Sequence, residues 1–438
     1  MKNKKFFLAL IVFSLIGQVA WVVENMYFNV FIYKMFNASA NDISLMVEAS
    51  AVAATLTTIL VGALSDRLGK RKLFMCLGYI LWGLSIIAFA FVRLDLIAPA
   101  FSGMAEAAAA AVTVVIILDC VMTFFGSSAN DAAYNAWLTD MTDKTNRGRA
   151  EGINSMMPLV AILVVFGSFM GFDLDKAESW TAIYIIIGAV VLVIGVLGFF
   201  IVDEAPVKTK DELGYFKTIL YGFRPSVVKK HAALYLTLAA FIVFGISIQV
   251  FMPYLIIYYE KTLGMANYVL IMAPAIIAAA AVTAFYGKFI DKHGFWGSVF
   301  PSLGMLCLGY VLLLLFPGVI KTEGFAMTAP VFVGSMLMLS GFLTGMAVFG
   351  AKIRNETPEA MAGRFQGLRI IAQVLVPGVV GPAIGAAVLK NADTIVNSDG
   401  TTSFLPSNAI FIAALIVAAV LALALGAALL ISKKHEKN

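Results

Sequence analysis

The chain has 438 residues, of which 61% belong to the apolar set and only 13% are Asp, Glu, Lys or Arg, against about 25% charge in a typical water-soluble domain. Its mean hydropathy of +0.92 requires long apolar runs, which excludes an ordinary soluble enzyme. The net charge of +5 comes without a basic block interleaved with aromatics, so there is no footprint for a nucleic acid.

A helix crosses the bilayer with roughly 20 apolar residues, and the chain offers such stretches near 6–33, 43–64, 73–92, 108–138, 151–171 and 180–202. The basic start Met1-Lys2-Asn3-Lys4-Lys5 followed by Phe6 to Gly17 imitates a secretory signal. The run continues to about Tyr33 without a small-residue cleavage site, so it reads as an uncleaved first span. Within it Gln18, Trp21, Asn25 and Asn29 recur at spacings of three and four, along one helical face flanked by Glu24. Polar groups do not face lipid cheaply, so this stripe is expected to face a cavity; a packing seam between helices is the competing reading.

After span two comes Gly62-Ala-Leu-Ser-Asp66-Arg67-Leu-Gly69-Lys70-Arg71-Lys72. Asp66 is expected to pair with Arg67 or Arg71, or to cap a neighbouring helix, as an ionic latch that holds one access state. Span four carries Asp119, Thr123, Ser127, Asp131 and Asn135 at successive fours, with Asn130 and Tyr134 beside them. A carboxylate at mid-bilayer costs about 2.5 to 3.5 kcal/mol on insertion scales, which makes Glu24, Asp119 and Asp131 functional candidates. Glu48 and Glu106 lie at span edges and read as solvated boundary residues.

The stretch 203–231 is the longest charged segment and reads as a linker between a first six-span bundle, 1–202, and a second, 232–438. The later spans lie near 232–259, 267–286, 298–316, 329–351, 365–389 and 408–432. Their interiors are less polar. Gln249, Tyr254 and Tyr258 surround Pro253, where a kink can free carbonyls for a ligand. Arg369 and Gln373 lie four apart on span eleven, although Arg369 also has the length to snorkel to the membrane surface.

Basic loops resist translocation, and most of the 31 Lys and Arg residues fall on one side if both termini are cytoplasmic, a result that requires an even number of spans. Two repeats divide the chain in the same place. Gly62, Asp66, Arg67 and Gly69 return as Gly287, Asp291, Lys292 and Gly294, 225 positions later. Asp140, Thr142, Gly148, Arg149 and Gly152 return as Asn355, Thr357, Gly363, Arg364 and Gly367. Parallel repeats of this size are a transporter signature, with substrate held near the midplane where the halves meet.

The motif from Gly62 to Lys72 resembles the loop between helices two and three of the major facilitator superfamily, and with its repeat the resemblance spans essentially the whole chain. It implies an all-α membrane protein of 12 transmembrane helices in two pseudo-symmetric six-helix bundles, with both termini cytoplasmic. The stretch from Asn130 to Thr142, with Arg147-Gly148-Arg149, is similar to helix four and the next loop of the glycoside-pentoside-hexuronide cation symporters, the melibiose permease group. Members of that group carry an acidic pair on helix two, whereas Ser50 to Leu64 has no acid, so a proton is expected in place of sodium as the coupling ion.

The function read from these residues is cation-coupled, alternating-access symport of a small polar solute such as a sugar or glycoside, in the cell membrane of a bacterium, by a monomer embedded in the lipid bilayer and without a cofactor. Asp131 is expected to receive substrate hydroxyls, and Trp21 and Tyr134 to stack on a sugar's apolar face. Glu24 or Asp119 is expected to carry the coupling proton, because intramembrane acids mark proton relays. A proton-driven exporter of drugs or amphipathic metabolites is the alternative, for which 34 Phe and 20 Met permit an adaptable pocket. An enzyme finds no support: His231, His293 and His435 stand apart from other ligand-type residues, Cys76, Cys120 and Cys307 have no metal spacing, and no phosphate-binding GxxxxGK[ST] loop occurs.

Overall fold

The computed structural model describes residues 2–142, 146–204, 221–315, 325–357, 362–397 and 400–437. Among them are eleven helices long and apolar enough to cross a membrane: Lys4–Phe36, Ala40–Ser65, Arg71–Phe91, Met104–Met141, Arg149–Phe169, Ala177–Ile201, Ala232–Thr262, Val269–Leu315, Thr328–Glu356, Gly367–Leu389 and Ala409–Ile431. The eighth of these is 47 residues long, about 70 Å at 1.5 Å per residue, and the hydrocarbon layer is only about 30 Å thick. It is broken at Gly294, where φ is 65° and ψ is −171°. The 47 residues are therefore spans eight and nine, and the crossings number twelve.

The chain divides into two compact units, Met1–Tyr221 and Gly222–Asn438, each holding six crossings; residues 205–220 of the expected linker lie outside the described residues. One element is not helical. Between spans eleven and twelve, β1 (Thr394–Val396) pairs antiparallel with β2 (Thr402–Phe404), and Asn397 ties the turn by donating to Thr401 Oγ1 at 3.0 Å and Ser403 Oγ at 2.7 Å. Thr394, Ile395 and Val396 are β-branched and suit a strand, but three residues leave no usable periodicity beside two long apolar runs.

Local chemistry sets where the spans begin and end. Span two starts with a capping box, in which Ser39 accepts from the Asp42 N–H and Asp42 accepts from the Ser39 N–H, satisfying two orphan donors of the first turn. It stops at Gly69, which takes the left-handed conformation (φ 65°) and donates its N–H to the Ser65 carbonyl at 2.9 Å. Gly294 has the same positive φ of 65° at the equivalent turn of the second unit, but with ψ at −171° against 21° at Gly69, so both copies need a glycine there while the chain leaves the two turns in different directions.

The same motif loop locks three helices of the first unit together. Arg71 is 4% exposed; its Nε lies 3.2 Å from Asp140 Oδ2, and its Nη1 donates to Ser65 Oγ at 2.7 Å. Ser65 Oγ in turn donates to the Gly62 carbonyl at 3.0 Å. Arg71 thus meets the carboxylate of Asp140, at the end of span four. The side chains of Asp66 and Arg364 lie outside the described residues. Arg67 is exposed, and Arg149 sits with its guanidinium 4.6 Å from the centre of the Phe7 ring. In the second unit Gly287 is half-buried and Asp291 exposed, while the positions equivalent to Arg71 and Asp140 hold Trp296 and Asn355. The buried ion pair therefore belongs to the first copy of the motif.

Between spans nine and ten the backbones approach closely. A Cβ added at Gly309 would collide with the backbone of Met338, and one at Gly341 with that of Leu306. Small residues serve this purpose in lipid, where packing replaces the hydrophobic drive between helices.

Two stability effects are expected, each measured as the unfolding free energy of the purified protein in detergent. Gly341→Ala should cost about 1 to 3 kcal/mol through overpacking, whereas Gly426→Ala, with open space at its Cβ, should be neutral or slightly stabilising because Ala is the better helix former. Arg71→Ala should cost about 3 to 5 kcal/mol, because Asp140 is left as a buried charge without its cation.

Candidate functional site

Polar residues enter the interior of the first unit where two spans depart from α-helical geometry. Val23–Phe28 in span one and Ser127–Tyr134 in span four are π-helical, with the wider turns that recur at functional sites. In span one the wider turn breaks the expected stripe. Gln18 and Trp21 are half-buried, Asn25 is exposed and Asn29 is buried, while Glu24 turns inward and is 7% exposed. Asn25 and Asn29 return their amide N–H groups to the backbone one turn earlier, to the carbonyls of Trp21 (2.8 Å) and Asn25 (3.1 Å). The four residues do not form one continuous open face, because a π turn shifts the register on which the even spacing relied.

Glu24 is the centre of a polar cluster. Its Oε1 accepts from Ser50 Oγ of span two and Thr123 Oγ1 of span four, both at 2.8 Å, and the two hydroxyl oxygens are 2.9 Å apart. Asp119 lies one turn from Thr123, 2% exposed and within electrostatic reach of Glu24. Glu24 Oε2 and Asp119 Oδ1 are both buried with no hydrogen-bond partner among the described residues. Two buried acids within electrostatic reach of each other, each with an oxygen that no described residue hydrogen-bonds, are therefore the candidate cation-binding groups of the first unit.

A second network is already complete. Trp21 Nε1 donates to Asn130 Oδ1 at 3.3 Å, Asn130 Nδ2 donates to Tyr79 OH at 2.7 Å, and Tyr79 OH donates to the Phe13 carbonyl at 2.7 Å. Asn154 Oδ1 accepts from Tyr134 OH at 2.8 Å and from Ser14 Oγ at 2.6 Å. Asn130 and Tyr134, 3% and 2% exposed, therefore hold spans one, three, four and five together. In that stretch Asp131 is half-buried and Asn135 exposed.

In the second unit Pro253 lies in a short 3-10 turn, Met252–Tyr254, followed by a π segment, Tyr258–Thr262. Tyr254 is fully buried and donates to the Pro382 carbonyl at 3.4 Å, so it braces the kink. Gln249 is half-buried on the same span, beside Gly381. Arg369 is exposed on Ala362–Ile370, and Gln373 is exposed in the π segment Ile371–Leu375. No group of three or more His, Cys, Asp or Glu suited to a metal ion occurs among the described residues.

Ser50 escaped sequence reasoning because a lone serine in a run of Ala, Val and Thr carries no spacing signal. The partner of Arg71 escaped it for a different reason: 69 positions separate Arg71 from Asp140, and only the packing of spans three and four brings them together.

Among curated proteins none matches this sequence. Solved structures of low identity share its fold. A point-mutant form of the nucleoside transporter NupG is 12% identical with a TM-score of 0.72, over 96% of this chain and 98% of that one. A D-xylose-proton symporter is 15% identical with a TM-score of 0.70, over 96% and 97%. A partially occluded inward-open form of the xylose transporter XylE from E. coli is 15% identical with a TM-score of 0.66, over 95% and 96%. The family model described as Major Facilitator Superfamily matches residues 6–382. On that match, and on the twelve crossings and the duplicated loop, the chain belongs to the major facilitator superfamily and is a multi-pass transporter of the cell membrane, not an enzyme.

Proposed function

We propose that this transporter is a cation-coupled symporter of a small polar solute, of the sugar or glycoside class, with a proton in preference to sodium as the coupling ion. The observation that carries the reading is the pair Glu24 and Asp119, both buried, each with one oxygen unpartnered among the described residues, and with the Ser50 and Thr123 hydroxyls donating to Glu24. Two like charges that close cannot both stay ionised in a low dielectric, so the pair takes up one positive charge. The described residues around it offer two hydroxyls and no group suited to a metal ion, which suits a proton better than a metal cation needing several ligands.

The solute class rests on Asp131, Asn135, Gln18, Trp21 and Asn25, the accessible polar and aromatic groups of spans one and four, with Gln249, Arg369 and Gln373 as the candidates in the second unit. It gains support from the resemblance of residues 130–142 to the melibiose permease group and from the D-xylose-proton symporter among the structural neighbours. In this reading the protein works as a monomer with both termini cytoplasmic, as the Lys and Arg bias of the loops indicates. A proton moving inward gains roughly 2.3 kcal/mol per 100 mV of membrane potential, enough to concentrate a neutral solute without ATP.

The test uses, as labelled probe, whichever sugar or glycoside most raises the melting temperature of the purified protein, since a ligand of the folded state stabilises it. In proteoliposomes Glu24→Gln and Asp119→Asn should each abolish pH-driven uphill uptake while counterflow of the same sugar survives. Undiminished accumulation in both variants would refute the proton role, and efflux of amphipathic dyes with no sugar uptake would move the assignment to an exporter.

A further inference from the structure

The two π segments of the first unit share a pattern. Each carries one acid, Glu24 in Val23–Phe28 and Asp131 in Ser127–Tyr134. Each is followed at once by an asparagine, Asn29 or Asn135, whose amide donates four positions back into the segment, to the carbonyl of Asn25 at 3.1 Å or of Asp131 at 3.0 Å. Each also holds a residue that bonds back across its start: Asn25 donates to the Trp21 carbonyl at 2.8 Å, and Ser128 Oγ to the Phe124 carbonyl at 2.6 Å. The second unit differs. Its π segments, Tyr258–Thr262 and Ile371–Leu375, are followed by Leu263 and Val376, whose side chains have no donor, and the one acid they contain, Glu260, lies 3.2 Å from Lys261 Nζ.

These bonds bear on which helix the backbone forms. In an α-helix the carbonyl four positions back accepts the backbone N–H, whereas a π turn passes that N–H one residue further on. A side-chain amide that occupies the carbonyl therefore competes with the α form and favours the wider turn. At Asn135 the division is explicit: its backbone N–H bonds the Ala132 carbonyl, and its amide takes that of Asp131. Asn29 makes the corresponding side-chain bond in span one from a fully packed position. It is 1% exposed, and its Oδ1 has no hydrogen-bond partner among the described residues. Burying an amide half-satisfied is costly, and packing alone gives no reason for it, since a leucine would fill the same space.

We infer that Asn25 and Asn29 are positioning residues for the coupling acid: their amides hold span one in the π form, the form that turns Glu24 inward onto Ser50 and Thr123. The inference rests on the proton-coupling reading above for its purpose and on the backbone bonds for its geometry. Closing the segment to α geometry would take one residue out of the turn and twist the two halves of the span by about 100° relative to each other. The hydroxyls that hold Glu24 come from two different spans, each at 2.8 Å, and a twist of that size separates the carboxyl from them. The wide turn is therefore part of the site, and its two asparagines set where the acid points.

The experiment reads the direction of residue 24 and needs neither solute nor pH gradient. In the full chain, with Cys76, Cys120 and Cys307 replaced by Ala, Glu24→Cys with Ser50→Cys puts two thiols where the 2.8 Å bond now lies. Dibromobimane, which fluoresces on bridging two nearby thiols, should cross-link this pair in lipid nanodiscs. Adding Asn29→Leu should slow the cross-linking at least about tenfold, because the rate follows the fraction of molecules in the competent geometry. Asn29→Ser, which keeps a donor for the carbonyl four positions back, should restore the rate. Asn25→Leu, at an exposed position, should slow it as well and decides the matter if the Asn29→Leu protein does not fold. An unchanged rate in either leucine variant that folds would overturn the inference, as would equal slowing in Asn29→Ser. Slowed cross-linking combined with undiminished pH-driven uptake, measured for Asn29→Leu with Glu24 and Ser50 intact, would leave the positioning standing and overturn the coupling reading instead.

Discussion

Two carboxylates removed from water and set against each other, Glu24 and Asp119, are the constraint around which the first unit is built. Each ion alone would be expensive in a low dielectric, and the protein supplies only the hydroxyls of Ser50 and Thr123 to Glu24 Oε1. In the proposed coupling role the cost is tolerable when the pair holds a cation and high when it does not. Helix geometry serves the same end. The π turn at Val23–Phe28 rotates Glu24 inward, away from the exposed side that Asn25 occupies. Spans one, two and four meet at this cluster, while the Trp21–Asn130–Tyr79 and Tyr134–Asn154 networks lock the neighbouring turns so that the acids cannot relax toward lipid.

The duplicated loop shows how one plan was used twice with different chemistry. Gly69 and Gly294 share a positive φ of 65° at the equivalent turn, yet only the first copy adds the buried Arg71–Asp140 pair. The second unit secures its cores by close backbone approach at Gly309 and Gly341 and by hydroxyl contacts, such as Ser302 with Thr344 at 2.9 Å. Buried ion pairs fix geometry sharply but punish the loss of either partner. The first unit, which holds the acids, therefore carries the sharper constraint.

The fold was largely legible from hydropathy. Crossing lengths and the positive-φ turns at Gly69 and Gly294 follow from apolar run length and Gly spacing, which are local properties. The site was legible only in part. Acids inside apolar runs identified Glu24 and Asp119, because an intramembrane charge is expensive wherever it points. What a residue touches depends on long-range packing, so Ser50 and the Asp140 partner of Arg71 gave no signal. Even spacing also misleads where the helix widens: Gln18, Trp21, Asn25 and Asn29 share a face only on 3.6 residues per turn, and the π segment removes that condition. Asn130 and Tyr134 look like ligand groups by type and serve as struts by contact. The short hairpin at Thr394–Phe404 was hidden by its length.

The central claim is that the Glu24–Asp119 pair carries one positive charge per transport cycle. The reversal potential of the solute-driven current in planar bilayers, measured as a function of the pH difference across the membrane, tests it most directly. With a neutral sugar as solute, the account predicts a shift corresponding to one proton per molecule moved. An electroneutral cycle, or a reversal potential that follows the sodium gradient and ignores pH, would contradict it.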